Sequence, residues 1–188
     1  MKKTLSLLLV LVLVFAVTAP TFALRVGVQE MEDELCLLDG NYILVSSEVI
    51  PLDCGGTIVI TSYQEIPDFG RNERMSAFSS SSSFNFDING WRTVASVNSV
   101  GGILWTFTVH GTFNIVPGVS VTCTRAWYSY TIENNNWRLL NADAWIYQGR
   151  WADASATFRR YFLGIPTADI VPLHIWVSFD VWGMMIFN

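Results

Sequence analysis

Trp105-Thr106-Phe107-Thr108-Val109-His110-Gly111-Thr112-Phe113-Asn114-Ile115 decides the fold class of this chain. Large apolar side chains and one glycine hold the odd positions, and threonine, histidine and asparagine hold the even ones. Successive side chains of an extended strand point to opposite faces, so this unbroken period of two predicts a half-buried strand, kinked at Gly111. A helix would spread the same residues around its circumference and present no apolar face.

The segments downstream repeat the pattern. Val116-Pro117-Gly118 reads as a turn. Val119, Val121 and Cys123 then face inward against Ser120, Thr122 and Thr124, in a strand continued by residues 127–132 and ended by Asn134-Asn135-Asn136. Residues 137–147 form the next strand, closed by a turn at Tyr147-Gln148-Gly149-Arg150. Ala152, Ala154, Ala156 and Phe158 alternate with Asp153, Ser155, Thr157 and Arg159. Alanine is a poor strand former, but the period of two predicts a strand whose small inner residues admit another layer closely. Gly164-Ile165-Pro166 turns the chain. Val171, Leu173, Ile175, Val177, Phe179 and Val181 make a final apolar stripe, with Pro172 and His174 on the opposite parity. A proline there suits a sheet edge, where a missing N–H breaks no ladder.

Upstream, residues 42–47 and 57–62 read as short strands separated by Pro51 and Gly55-Gly56. Residues 67–77 are irregular and charged. Five serines at 79–83 lead into Phe84, Phe86 and Ile88 at alternate positions, and Asn89-Gly90 reads as a turn. Seven or eight short strands divided by turn residues predict an all-β fold: a two-sheet antiparallel β-sandwich, Ig-like or jelly-roll-like, with a partly closed β-barrel as the alternative.

Lys2 and Lys3, an apolar run from Leu5 to Val17, and Thr18-Ala19-Pro20-Thr21-Phe22-Ala23 have the three parts of a secretory signal peptide, with cleavage near Ala23. The run falls short of the roughly 20 apolar residues a membrane span needs, which predicts a secreted, extracellular product without a stable membrane anchor. Residues 24–41 form an acidic, irregular lead-in, and 42–188 form the sandwich domain. Beyond Ala23 the chain keeps all 16 acids against nine arginines and no lysine. That balance excludes nucleic acid and argues against anionic lipid as a bulk electrostatic partner. Export permits a disulfide among Cys36, Cys54 and Cys123. Cys36–Cys54 closes the shorter loop and is favoured over Cys54–Cys123, leaving Cys123 as a buried free thiol.

The second half of the chain resembles small secreted β-sandwich proteins of Gram-positive bacteria that have no assigned activity. The resemblance rests on residues 105–113 followed by Val121-Thr122-Cys123-Thr124, then Trp137, the alanines at 152, 154 and 156, and the stretch 158–164. It implies a sandwich and assigns no functional residue. Members of that group tend to carry a second cysteine in the last strand, where this chain has Phe179 or a neighbour.

Little in the sequence points to catalysis. His110 and His174 lack the company of a third metal ligand and read as surface residues. No nucleophile elbow, phosphate-cradling loop, cofactor motif or metal-ligand spacing is present. Asp143 and Asp153, on neighbouring strands, are the one carboxylate pair a glycoside hydrolase could use. The aromatics are the remaining signal, since all eight tryptophans lie at or after Trp91. Trp105, Trp137 and Trp127 are core candidates. Trp145 and Trp151 flank a turn and Trp176 lies on the outward parity, making these three the candidate ligand-facing aromatics. The expectation is a secreted, non-enzymatic β-sandwich that binds a cell-envelope glycan or an extracellular protein. Its alternatives are a membrane-active protein inserting a hairpin of residues 79–88 and 105–115, and a hydrolase using Asp143 and Asp153.

Overall fold

A computed structural model describes residues 42–52, 55–66 and 84–187. The expected signal peptide and irregular segment 24–41, the serine run 79–83, Cys36 and Cys54 lie outside the described residues. Eight strands follow in order: β1 (Tyr42–Pro51), β2 (Thr57–Glu65), β3 (Phe86–Val97), β4 (Ile103–Val116), β5 (Ser120–Ile132), β6 (Trp137–Tyr147), β7 (Trp151–Phe162) and β8 (Ile165–Val177). They form two antiparallel sheets, β1-β2-β3-β4-β5 and β6-β7-β8, each open at both edges. The fold is therefore all-β and a sandwich, not a closed barrel. Each sheet is an up-and-down meander; residues 133–136 carry the chain from the larger sheet to the smaller, and the segment after β8 returns to the larger one.

The core lies where the sequence period placed it. Trp105, Phe107, Val109, Phe113 and Ile115 of β4 are all fully buried. Opposite them, β7 offers Ala152, Ala154, Ala156 and Phe158. The indole of Trp105 stacks on Phe158 with centroids 4.2 Å apart and planes at 6°. Methyl-sized neighbours on β7 are what let rings of that size enter from the facing sheet, as close packing of a two-layer core requires. Gly111 serves the same purpose: a Cβ there would meet the Phe113 ring at 2.4 Å and Ala152 at 2.8 Å.

Three local expectations are corrected at this point. Asn89-Gly90 is no turn but the interior of β3, paired with Thr112 and Gly111 of β4. A Cβ on Gly90 would stand 2.7 Å from Phe179 and 2.8 Å from Met185, so this glycine admits the segment after β8 onto the sheet. Asn89 is stitched in place by donating to Glu65 and accepting from Thr112. Val119, expected inside, is 74% exposed at the tip of the β4–β5 turn. Trp127, a core candidate, lies on the outer face of the larger sheet. The β4–β5 register shifts between Thr112 and Phe113, so Thr124 is an extra residue and every later side chain of β5 changes face. Ala126 and Tyr128 consequently pack on the core instead. Trp105 is core as expected, and Trp137 packs half-buried against it.

The last stripe is buried at Ile175, Val177 and Phe179, while Val171 and Leu173 sit half-buried at the core margin. Val181 falls in a turn beyond the strand, where Asp180 accepts from the N–H groups of Trp182 and Met184. Pro172 lies within β8, an edge strand. The turn segment is locked to the larger sheet through Gln64, whose amide donates to Gly183 O and accepts from Met185 N–H.

Candidate functional site

Alternation along β7 places Ala152, Ala154 and Ala156 inside and Trp151, Asp153, Ser155 and Thr157 on the outer face of the smaller sheet. The register then builds rows across three strands. Trp145, Asp153 and Trp176 are direct cross-strand partners, and Asp143, Ser155 and His174 form the next row. Tyr147 pairs with Trp151 at the sheet end, their rings 5.8 Å apart. All three tryptophans singled out in the sequence therefore share one face.

Asp153 stands on an outer face yet is only 5% exposed. The cause is visible in the rings beside it. His174 and Trp145 belong to β8 and β6, which flank β7 and so lie about 9–10 Å apart. Their ring centroids are nevertheless 5.8 Å apart with planes at 6°, so both rings lean over β7 and roof the carboxylate. His174 Nε2 meets Asp153 Oδ1 at 2.9 Å. Asp153 Oδ2 is fully covered and has no hydrogen-bond partner. Burial raises the Asp153 carboxyl above the ordinary carboxylate range, and the bond to His174 and its charge offset part of that rise.

The rim is rigidly held. In the β6–β7 turn, Gly149 O accepts from the N–H of Cys123 on β5, and Arg150 O accepts from Ser178 Oγ. The Arg150 guanidinium lies 5.8 Å from the Trp151 ring centroid. Trp145 is 37% and Tyr147 50% exposed, and Trp151 and Trp176 are half-buried.

The other sequence candidates do not assemble. Asp143 stands opposite Ser155, not Asp153, and its carboxylate accepts the Ala144 N–H. His110 is on the outer face of the larger sheet, stacked on Trp127 at 5.1 Å and bonded to Ser129, so the two histidines face away from one another. Burial lowers the His110 pKa. Among the described residues no three His, Cys, Asp or Glu side chains gather as a metal site. Cys123 is buried and free, with its pKa pushed up to about 11 chiefly by burial. Comparison with known protein families, curated proteins and solved structures returns no match. The sequence pointed to Asp153 only as a partner for Asp143, and its burial and its bond to His174 escaped sequence reasoning because Asp153 has the parity of a solvent-facing residue. The one legible signal was its place between Trp145 and Trp176, which required the register.

Proposed function

We propose that this chain is an extracellular, non-enzymatic binding module that holds a cell-envelope glycan on the outer face of β6-β7-β8. The row Trp145–Asp153–Trp176 carries the reading. Sugar rings offer an apolar C–H face and a hydroxyl edge. Indole faces on fixed strands take the first, and the exposed imidazole of His174, held by the covered Asp153, suits the second together with Ser155 and Asp143. Strands hold such a platform at little conformational cost on binding. The cover over Asp153 supports binding over hydrolysis, since a catalytic carboxylate must reach the bond it cleaves.

Retention of the protein on purified peptidoglycan and insoluble envelope polysaccharide tests this. Trp145→Ala and Trp176→Ala should each weaken retention about tenfold, equivalent to about 1.4 kcal/mol. Trp182→Ala, exposed in the segment after β8, should bind like the wild type. Failure of the wild type to bind any such glycan, or wild-type retention by both platform variants, would overturn the reading.

A further inference from the structure

We propose that the β7–β8 hairpin tip is a membrane-contact element, in which Phe162, Leu163 and Ile165 enter the headgroup–acyl boundary of an anionic bilayer. Arg138, Arg159 and Arg160 at its root would meet the lipid phosphates. The inference is independent of the glycan platform, which occupies the other end of the same strands.

The tip is apolar where water is the only neighbour. Phe162 is 63%, Leu163 85% and Ile165 68% exposed. Leu163 also takes φ 49°, the left-handed region that asparagine or glycine fills more cheaply in a two-residue hairpin turn. At 85% exposure the Leu163 side chain gains little packing within the chain to offset that choice. A second local rule is broken at the root. Arg138 and Arg159 are direct cross-strand partners, and like charges so placed destabilise a sheet. An uncompensated left-handed residue at an exposed apolar tip, beside like charges paired across β6 and β7, points to a demand from outside the fold.

The root is built to hold this geometry. Two extra residues of β8 bulge between Ile170 and Pro166. Thr167 ties the bulge down by donating to Arg160 O and accepting from Arg159 Nε through its own carbonyl. Arg138 lies over the Tyr161 ring at 4.6 Å. Asp169 pairs with Arg160 at 3.5 Å and is the one acid in contact with the cluster among the described residues. The chain as a whole is acidic, at −5, but charges farther away than about 8 Å are screened at physiological salt, so the local cation excess sets the partner. Apolar residues ringed by arginine match an anionic lipid surface better than a neutral protein face.

The test is co-sedimentation of the full protein with vesicles of phosphatidylcholine alone and of equimolar phosphatidylcholine and phosphatidylglycerol. The wild type should sediment with the anionic vesicles, increasingly so as salt is lowered, and not with the neutral ones. Leu163→Asn should reduce binding by about tenfold or more while melting at or above the wild-type temperature. Arg138→Gln with Arg160→Gln should lower it by about fivefold per charge. Phe162→Trp should shift its emission to the blue on the anionic vesicles only. Absence of wild-type sedimentation, equal sedimentation with neutral vesicles, or unchanged binding by Leu163→Asn would overturn the proposal.

Discussion

Gly90→Ala is the sharpest probe of how the segment after β8 closes the sandwich. The new Cβ would stand 2.7 Å and 2.9 Å from two Phe179 ring carbons and 2.8 Å from Met185 Cε. Met185 can rotate away, but Phe179 is fully buried and packed on Phe113 at 4.9 Å, so its ring has nowhere to go. Overpacking of this kind costs about 1–3 kcal/mol. Replacing glycine by alanine returns about 0.4–1 kcal/mol by restricting the unfolded chain. The clash wins, leaving a net loss of about 1–2 kcal/mol, or roughly 2–8 °C in Tm for a chain of this size. Phe179→Leu should be destabilising alone yet relieve the clash. The double variant should therefore be more stable than the two single losses predict, by about 0.5 kcal/mol or more. Urea or thermal unfolding of the four proteins reads this directly. A Gly90→Ala protein as stable as the wild type, or strict additivity with Phe179→Leu, would refute the close-approach account of Gly90.

Three further outcomes follow from the buried groups. Asp153 has a raised folded-state pKa, so the folded protein binds more protons than the unfolded chain above about pH 4 and stability falls as pH rises through the shifted value. Asp153→Asn should remove that fall, seen as a stability difference from the wild type that changes with pH in this window and is level above it; a constant difference would contradict it. His174→Ala removes the bond to Asp153 but also opens half of its cover to water, so it should cost only about 0.5–1.5 kcal/mol in urea unfolding. Cys123, with its pKa near 11, should resist alkylation at pH 8 in the native state and react on unfolding, as mass spectrometry of labelled peptides would show.

β4 and β7 were legible because one face of each is buried and the period of two survives in them intact, whereas bulges interrupt it in β5, β6 and β8. The alanine-rich strand could be read for the same reason, since its neighbours fixed the parity that propensity left open. Trp127 was misplaced because a bulge is a property of two paired strands and leaves no mark in the bulged one alone. Asn89-Gly90 misled because glycine answers two demands, a positive φ and a close approach, with the same letter. Trp145, Trp151 and Trp176 were found by parity and by their turn. Asp153 could be singled out as a carboxylate but its burial could not, since that depends on two rings from flanking strands leaning across β7.

The glycan platform is most directly tested by oxidative footprinting of tryptophan with and without a bound envelope oligosaccharide, read by peptide mass. The account predicts that the glycan protects Trp145 and Trp176 from oxidation while Trp182, 67% exposed, is oxidised equally in both states. Protection at Trp182, or unchanged oxidation of Trp145 and Trp176 at saturating glycan, would contradict it.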